Sequence, residues 1–174
     1  MAEEENNSEQ PAATGEGSAA TGPQFAMQRI YLKDCSFEAP RSPKVFQNQW
    51  QPKVNFDLKT RSNKIQDDVY EVVLTLTAEA QIEDEVAFLV EVHQAGIFTI
   101  KDFDDAEMEH VIAVICPSIL FPYGREAIDA LVIKGSFPAL MLSPINFEAL
   151  YKQKKEQDSA QAAATEAPAS DSVQ

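Results

Sequence analysis

From Val69 to Ile100 the chain alternates so regularly that a half-buried hairpin is its natural reading. Tyr70, Val72, Leu74, Leu76, Ala78, Ala80 and Ile82 are apolar at every second position. Glu71, Thr75, Thr77, Glu79 and Gln81 fall between them, with Val73 the main exception. Period two is the signature of a strand with one buried face. After the acidic stretch Glu83-Asp84-Glu85 the alternation resumes. Phe88, Val90, Val92, Phe98 and Ile100 share one parity, and Glu91, His93 and Thr99 share the other. Each arm is well above the usual strand of about 5–6 residues. The wide apolar face of such a hairpin has to be covered by the rest of the chain.

The flanking sequence reads as that cover. Phe25 to Asp34 alternates but carries large apolar groups on both parities, the pattern of an interface strand. Pro40, Pro43 and Pro52 then disfavour regular pairing, which predicts an extended crossover bearing Val45, Phe46 and Trp50. A second strand places Val54, Phe56 and Leu58 on one face, and Arg61-Ser62-Asn63 reads as the approach to a turn. The period then changes. Asp104 with Glu107 has the spacing of a helix start, and Met108, Val111, Ile112 and Ile115 form a helical stripe that Pro117 is expected to end. Pro122 opens a second helix striped by Ile128, Leu131 and Val132, with Gly135 as its C-cap. Asn146 caps a short last helix bearing Phe147, Leu150 and Tyr151. Four strands followed by helices make an α+β fold, one antiparallel sheet with helices packed on one side.

Charge and composition narrow the function. The formal net charge is −14 over 174 residues. Residues 1–24 hold five acids and no Lys or Arg, and 157–174 hold three, which leaves −6 in the middle. Both ends are too poor in apolar residues to offset chain entropy. The expected organisation is therefore a disordered acidic tail over 1–24, one domain over 25–155 and a disordered tail over 156–174. An acidic domain is a poor match to a nucleic-acid backbone and favours basic partners. The start lacks the basic and apolar regions of a signal peptide, and no apolar run is expected to approach the ~20 residues of a membrane span. A cytoplasmic protein without membrane insertion is expected. Cys35 and Cys116 form no CxxC and read as reduced, semi-buried thiols.

Enzymatic chemistry finds little support. The dispersed glycines Gly96, Gly124 and Gly135 make no phosphate loop, and His93 and His110 belong to no metal-binding or catalytic cluster. No cofactor or metal site is predicted. Three other features stand out: large apolar groups in proline-broken segments, a first helix apolar around most of its last two turns, and acids on the sheet's polar parity. The first fits either core packing beneath loops or an apolar groove. The second fits burial within one subunit or between subunits. The third, Asp34 and Glu38 with Asp84 and Glu85 at the hairpin tip, fits a solvated face or a dock for a basic segment.

The residues also resemble the SecB family of bacterial protein-export chaperones. RIYLKDCSFEAP from Arg29 to Pro40, VFQ from Val45, WQP from Trp50, DVYEVVL from Asp68, AFLVEV from Ala87 and GIF from Gly96 carry the likeness. Cys116-Pro117, ILFPY from Ile119, Arg125-Glu126 and the run from Phe137 to Phe147 continue it, over roughly 25–152 in one register. The resemblance implies sheets paired into dimers and dimers stacked through helices into a homotetramer. It implies a holdase that keeps precursor proteins unfolded without ATP and delivers them to the motor SecA. Val45, Phe46, Trp50, Val54, Phe56, Leu58, Phe147, Leu150 and Tyr151 match client-binding regions. Asp34, Glu38 and the hairpin-tip residues Ile82, Asp84 and Glu85 match contacts to the small, basic, zinc-bound tail of SecA, whose zinc belongs to SecA. The tip reads Ile82-Glu83-Asp84-Glu85 where the family typically has Leu-Gly-Glu-Glu, so Asp84 reaches one methylene less far. Two other classes are consistent with the residues. One is a small-ligand-binding or enzymatic domain using a cleft beside Phe121–Arg125, with Arg125 or His110 as its polar group. The other is a general anti-aggregation or toxin–antitoxin-linked chaperone that does not use SecA.

Overall fold

In the computed structural model the described residues are 22–165; of the tails expected over 1–24 and 156–174, residues 1–21 and 166–174 lie outside them. Four strands, β1 (Gln24–Glu38), β2 (Lys53–Gln66), β3 (Val69–Ile82) and β4 (Glu85–Lys101), form one antiparallel sheet in the order β1-β4-β3-β2. The predicted hairpin is β3–β4 at its centre. From Val72 to Ile82 every even residue of β3 is buried and every odd one is half-buried. Glu83 and Asp84 both adopt positive φ, 52° and 61°, the type I′ geometry that matches the twist of a two-residue hairpin.

The edge strands depart from the sequence reading. β1 contains irregularities between Met27 and Arg29 and between Leu32 and Asp34. Each inserts a residue and moves the side chains that follow to the other face. Arg29, Tyr31 and Asp34 thereby join the outer face, while Phe25, Ile30 and Phe37 pack on the core side. Arg61-Ser62-Asn63 stays inside β2, paired with Val73, Val72 and Glu71, and the turn comes at Asp67–Asp68. The crossover is not wholly extended, for Lys44–Gln47 forms a 3-10 turn. Cys116 is buried as a thiol, whereas Cys35 is exposed rather than semi-buried.

The largest correction concerns the helices. Asp105–Lys134 is one helix, α1, not two. Its start is the predicted capping box: Asp104 accepts from the Glu107 N–H at 2.8 Å and Glu107 accepts from the Asp104 N–H at 3.2 Å. Pro117 fails to end it because Val111–Ile115 is a wider π turn, in which the Cys116 N–H reaches back to the Val111 carbonyl. A π turn relieves the clash and the missing donor that proline imposes on regular α geometry. The Ser118 hydroxyl donates to the Val114 carbonyl at 2.6 Å in the same region. Pro122 is then tolerated inside the helix. Fused across the prolines, α1 is apolar enough by length and composition to cross a bilayer, with a mean hydropathy of 1.4 in its most apolar window. Forty-four per cent of that window is buried in the fold, against the sheet.

Val111, Val114, Leu120, Phe121, Ile128 and Val132 form the face of α1 that meets the sheet. Gly124 permits the close approach, since a Cβ there would stand 2.6 Å from Leu76 Cδ1. Phe88 and Phe98 are fully buried beneath it, each stabilising the fold by about 1.5–3 kcal/mol through burial. The end of α1 is a Schellman motif: Ser136 N–H bonds to Ile133 O at 2.9 Å and Phe137 N–H to Val132 O at 3.2 Å. The residue at positive φ (65°) is Ser136, not Gly135. The final helix, α2 (Phe147–Thr165), is capped by Asn146, whose side chain accepts from the Ala149 N–H at 3.0 Å. It is not short, and it runs ten residues past the expected domain end at 155.

Candidate functional site

The core-facing row of β2 continues beyond Leu58 through Thr60 and Ser62, which face Leu74 and Val72 of β3. Because β2 is an edge strand, no strand among the described residues pairs beyond it to close that row. α2 rises alongside, and between them lies a hollow of about 350 Å³. Leu58, Thr60, Ile112, Ala113, Phe147, Leu150 and Tyr151 line it. A second hollow of about 300 Å³ shares Ser62, Ile112, Ala113 and Tyr151 and extends the first into a trough along α2.

The trough has a floor and walls. Phe147 is only 5 % exposed and meets Phe121 edge to face at 5.9 Å, so it supports the floor. Leu150 is 40 % exposed and presents its side chain to the opening. The first turn of α2 is held by His110 of α1, whose Nε2 lies 2.7 Å from a Glu148 carboxylate oxygen. His110 and then Lys152 hold the Glu148 carboxyl below the usual carboxylate range. Tyr151 stacks its edge on His110, and Lys155 sits over the Tyr151 ring and reaches Glu109 at 3.3 Å.

At the other end of β2 a second aromatic group gathers. Trp50 stacks on Phe88, and both Trp50 and Phe46 pack on Phe137, with ring centroids 5.4 and 5.2 Å away. Phe46 remains half-exposed and Val54 is exposed, while Val45, with 2 % exposure, belongs to the core and is out of a ligand's reach. Leu58, Phe147, Leu150 and Tyr151 therefore share one hollow, Phe46 and Trp50 share another surface, and Val54 and Phe56 lie on the strand between them. From Val54 to Ser62 that strand spans about 27 Å. Sequence reasoning missed Thr60 and Ser62 because it ended the strand too early. Their parity with Leu58 was the available signal.

The outer sheet face is polar. Across the β1–β4 ladder Asp34 faces His93, Ser36 faces Glu91 and Glu38 faces Leu89. Across β3–β4, Glu91 and Leu89 face Thr77 and Glu79. Asp34 and Glu38 thus share a face with Glu79 and Glu91, two acids that strand parity alone would have added. His93, 2.9 Å away, and the Thr77 hydroxyl hold the Glu91 carboxyl low. Further along, Tyr31 and Lys33 converge on Glu71, with Lys33 Nζ 2.7 Å from both carboxylate oxygens. Lys33 and Tyr31 lower the Glu71 pKa, and that carboxylate pushes the Tyr31 phenol up to about 12. An open concavity of about 540 Å³ covers this region. The hairpin tip is less uniform than expected. Ile82 points into the core at 5 % exposure, which removes it from any outer-face contact. Glu85 is paired with Arg41, and Asp84, almost fully exposed, stands 4.0 Å from Lys53.

Arg125 and His110 do not converge. Arg125 lines a cleft of about 640 Å³ with Phe121 and Ile133, and His110 lines a different one with Phe103 and Val111.

The family model described as preprotein translocase subunit SecB matches residues 18–158. The chain belongs to the SecB family. It is 56 % identical over 146 residues to the protein-export protein SecB of Pseudomonas syringae pv. syringae, covering 84 % of this chain and 90 % of that one. Against SecB of Pseudomonas fluorescens strain Pf-5 the identity is 58 % over 134 residues, covering 77 % and 84 %. Among solved structures, a Mycobacterium tuberculosis SecB-like chaperone in complex with a ChAD peptide from the HigA1 antitoxin superposes with a TM-score of 0.59. At 17 % identity, over 70 % of this chain and 90 % of that one, that likeness shows the fold. Family membership makes this chain a protein-export chaperone.

Proposed function

We propose that this chain is an ATP-independent holdase that keeps precursor proteins unfolded and passes them to SecA. The observation that carries the reading is the apolar trough along edge strand β2, open at Leu150 and floored by Phe147. Unfolded segments share exposed apolar side chains, so a promiscuous binder needs aliphatic and aromatic surface rather than a polar code. Phe46, Trp50, Val54, Phe56, Leu58, Leu150 and Tyr151 are the proposed contacts, with Val45 and Phe147 supporting them from beneath. The acids Asp34 and Glu38 on the outer face, with Asp84 and Glu85 at the tip, are the proposed dock for the basic, zinc-bearing tail of SecA. The proposed assembly is a homotetramer, two dimers meeting through the apolar outer side of α1, where Tyr123 and Ile133 are exposed. Wrapping one client over several troughs would multiply weak contacts through effective concentration. The proposed site of action is the cytoplasm, with no catalytic step and no bound cofactor. The domain is proposed to end within α2.

A paired titration tests this. One slow-folding secretory precursor is offered unfolded and again after complete folding. Binding confined to the unfolded form is expected; equal binding to both, or to neither, sinks the holdase reading. Asp34→Ala and Glu38→Ala are expected to weaken binding to SecA without altering client affinity. Unchanged SecA binding would favour a general chaperone that uses the same trough.

A further inference from the structure

We propose that Arg41 is an internal occupant of Glu85, a latch that withholds this acid from a basic partner until the partner displaces it. The proposal rests on the acids of the outer face and hairpin tip being the partner's dock. Within that dock Glu85 is held differently from the rest. It pairs with Ile82 across the hairpin, and residues directly opposite one another share a face. Ile82 points into the core, so Glu85 leaves its strand on the side away from Asp34 and Glu38. There it meets the Arg41 guanidinium. The Arg41 side chain is 28 % exposed, and its Nη1 is buried. Among the described residues that atom is the one buried side-chain nitrogen or oxygen without a hydrogen bond, so the Glu85 carboxylate beside it is what compensates its charge. Asp84, by contrast, faces only Lys53 at 4.0 Å, and both are well exposed.

The crossover fixes Arg41 on both sides. The Ser42 N–H donates to the Ala39 carbonyl at 3.1 Å, and the Val45 N–H donates to the Arg41 carbonyl at 3.1 Å. Val45 is buried in the core, which anchors the turn beside the hairpin tip. Separating a partly buried pair leaves one charge without its counter-charge, and any competitor for Glu85 meets that cost. A single cation arriving at Glu85 gains little more than Arg41 gives up. A segment with several cations, already held by Asp34, Glu38 and Asp84, offsets the cost through effective concentration.

The test measures SecA affinity by calorimetry at low salt, with the full chain and four variants. Arg41→Gln is expected to bind SecA about three- to tenfold more tightly, with the gain narrowing as salt is raised. Glu85→Gln should stay within about twofold of the parent, because the carboxylate it replaces is already held. Arg41→Gln/Glu85→Gln should lose most of the gain, since the released acid is gone. Lys53→Gln removes the same charge from a well-solvated pair and should change the affinity by less than about twofold. Affinity for an unfolded client should hold in all four, which separates these effects from a disturbed crossover. An unchanged affinity in Arg41→Gln, a gain that survives in the double variant, or an equal gain in Lys53→Gln overturns the proposal. So does a loss in Glu85→Gln as deep as that in Asp34→Ala, and this outcome decides the matter alone if Arg41→Gln does not fold. If Asp34→Ala and Glu38→Ala leave SecA binding unchanged, the dock reading fails and takes this proposal with it.

Discussion

Truncating Leu150 separates groove contact from fold support. Leu150 is 40 % exposed at the trough's opening, whereas Phe147, one turn earlier on α2, is 5 % exposed. Full burial of a leucine side chain is worth about 1.5–3 kcal/mol, so the exposed part that a client would cover is worth about 1 kcal/mol. Leu150→Ala is therefore expected to weaken binding of a single-trough peptide about fivefold. Losing the part already buried is expected to lower folding stability by about 1–2 kcal/mol. Phe147→Ala should do the reverse. It removes a ring seated on Phe121 and costs about 3–5 kcal/mol of stability, while taking almost nothing from the client-facing surface. Fluorescence anisotropy with an unfolded peptide gives the first quantity and urea denaturation the second. If Leu150→Ala shifts the urea midpoint but leaves the peptide affinity unchanged, the client does not lie in this trough and the assignment of its walls is wrong.

Two further outcomes follow from the geometry. At the end of α1, Gly135→Ala would place a Cβ 2.3 Å from Phe37 Cζ and should cost about 1–3 kcal/mol by overpacking. Ser136→Gly relieves a positive φ and should stabilise by about 0.5–1 kcal/mol; urea midpoints of the two variants check both, and a harmless Gly135→Ala would mean that the ring moves aside freely. On the outer face Tyr31 should titrate near 12 rather than 10.0. The folded state holds that proton more tightly, so the contribution is fully present below pH 10.0 and is lost as pH rises through about 12. Glu71→Gln should bring the phenol back toward 10.0, which ultraviolet titration of tyrosinate reads directly; an unshifted transition would show that the carboxylate is not the cause.

The parts of the fold most legible in the sequence are those where one face is buried and the other wet. β3 and β4 sit at the centre of the sheet, and their alternation survives into burial over most of both strands, interrupted in β4 where Ala87 and Phe88, and Gln94 to Gly96, are buried in succession. Edge strands obey weaker rules. β2 past Leu58 turns to Thr60 and Ser62 on its core side, since there it borders the trough rather than the core, and its polarity mimics a turn. β1 hides its register because two irregularities switch its faces. Pro117 misled for a different reason: a proline ends an α-helix only where the helix keeps α geometry, and the π turn before it does not. α2 outran its expected end because Ala, Gln, Lys and Glu are poor core formers yet good helix formers.

The same unevenness explains where the candidate site arises. The row Val54, Phe56 and Leu58 was readable from parity, and Phe147, Leu150 and Tyr151 from helical spacing, but neither pattern says that the two rows face one another. That depends on α1 being one helix. The π turn places Ile112 and Ala113 at the base of the trough, with β2 on one side and α2 on the other. Broken at Pro117, α1 would not be obliged to hold its first turns in line with the segment that packs on the sheet, and His110 would not be positioned to clasp Glu148. The trough is thus a consequence of long-range packing, assembled from three elements that each bury one side and leave part of another uncovered. A central strand cannot supply such a surface, because it has neighbours on both edges. Only an edge strand with a helix standing off it leaves an apolar row open at the length of an extended peptide.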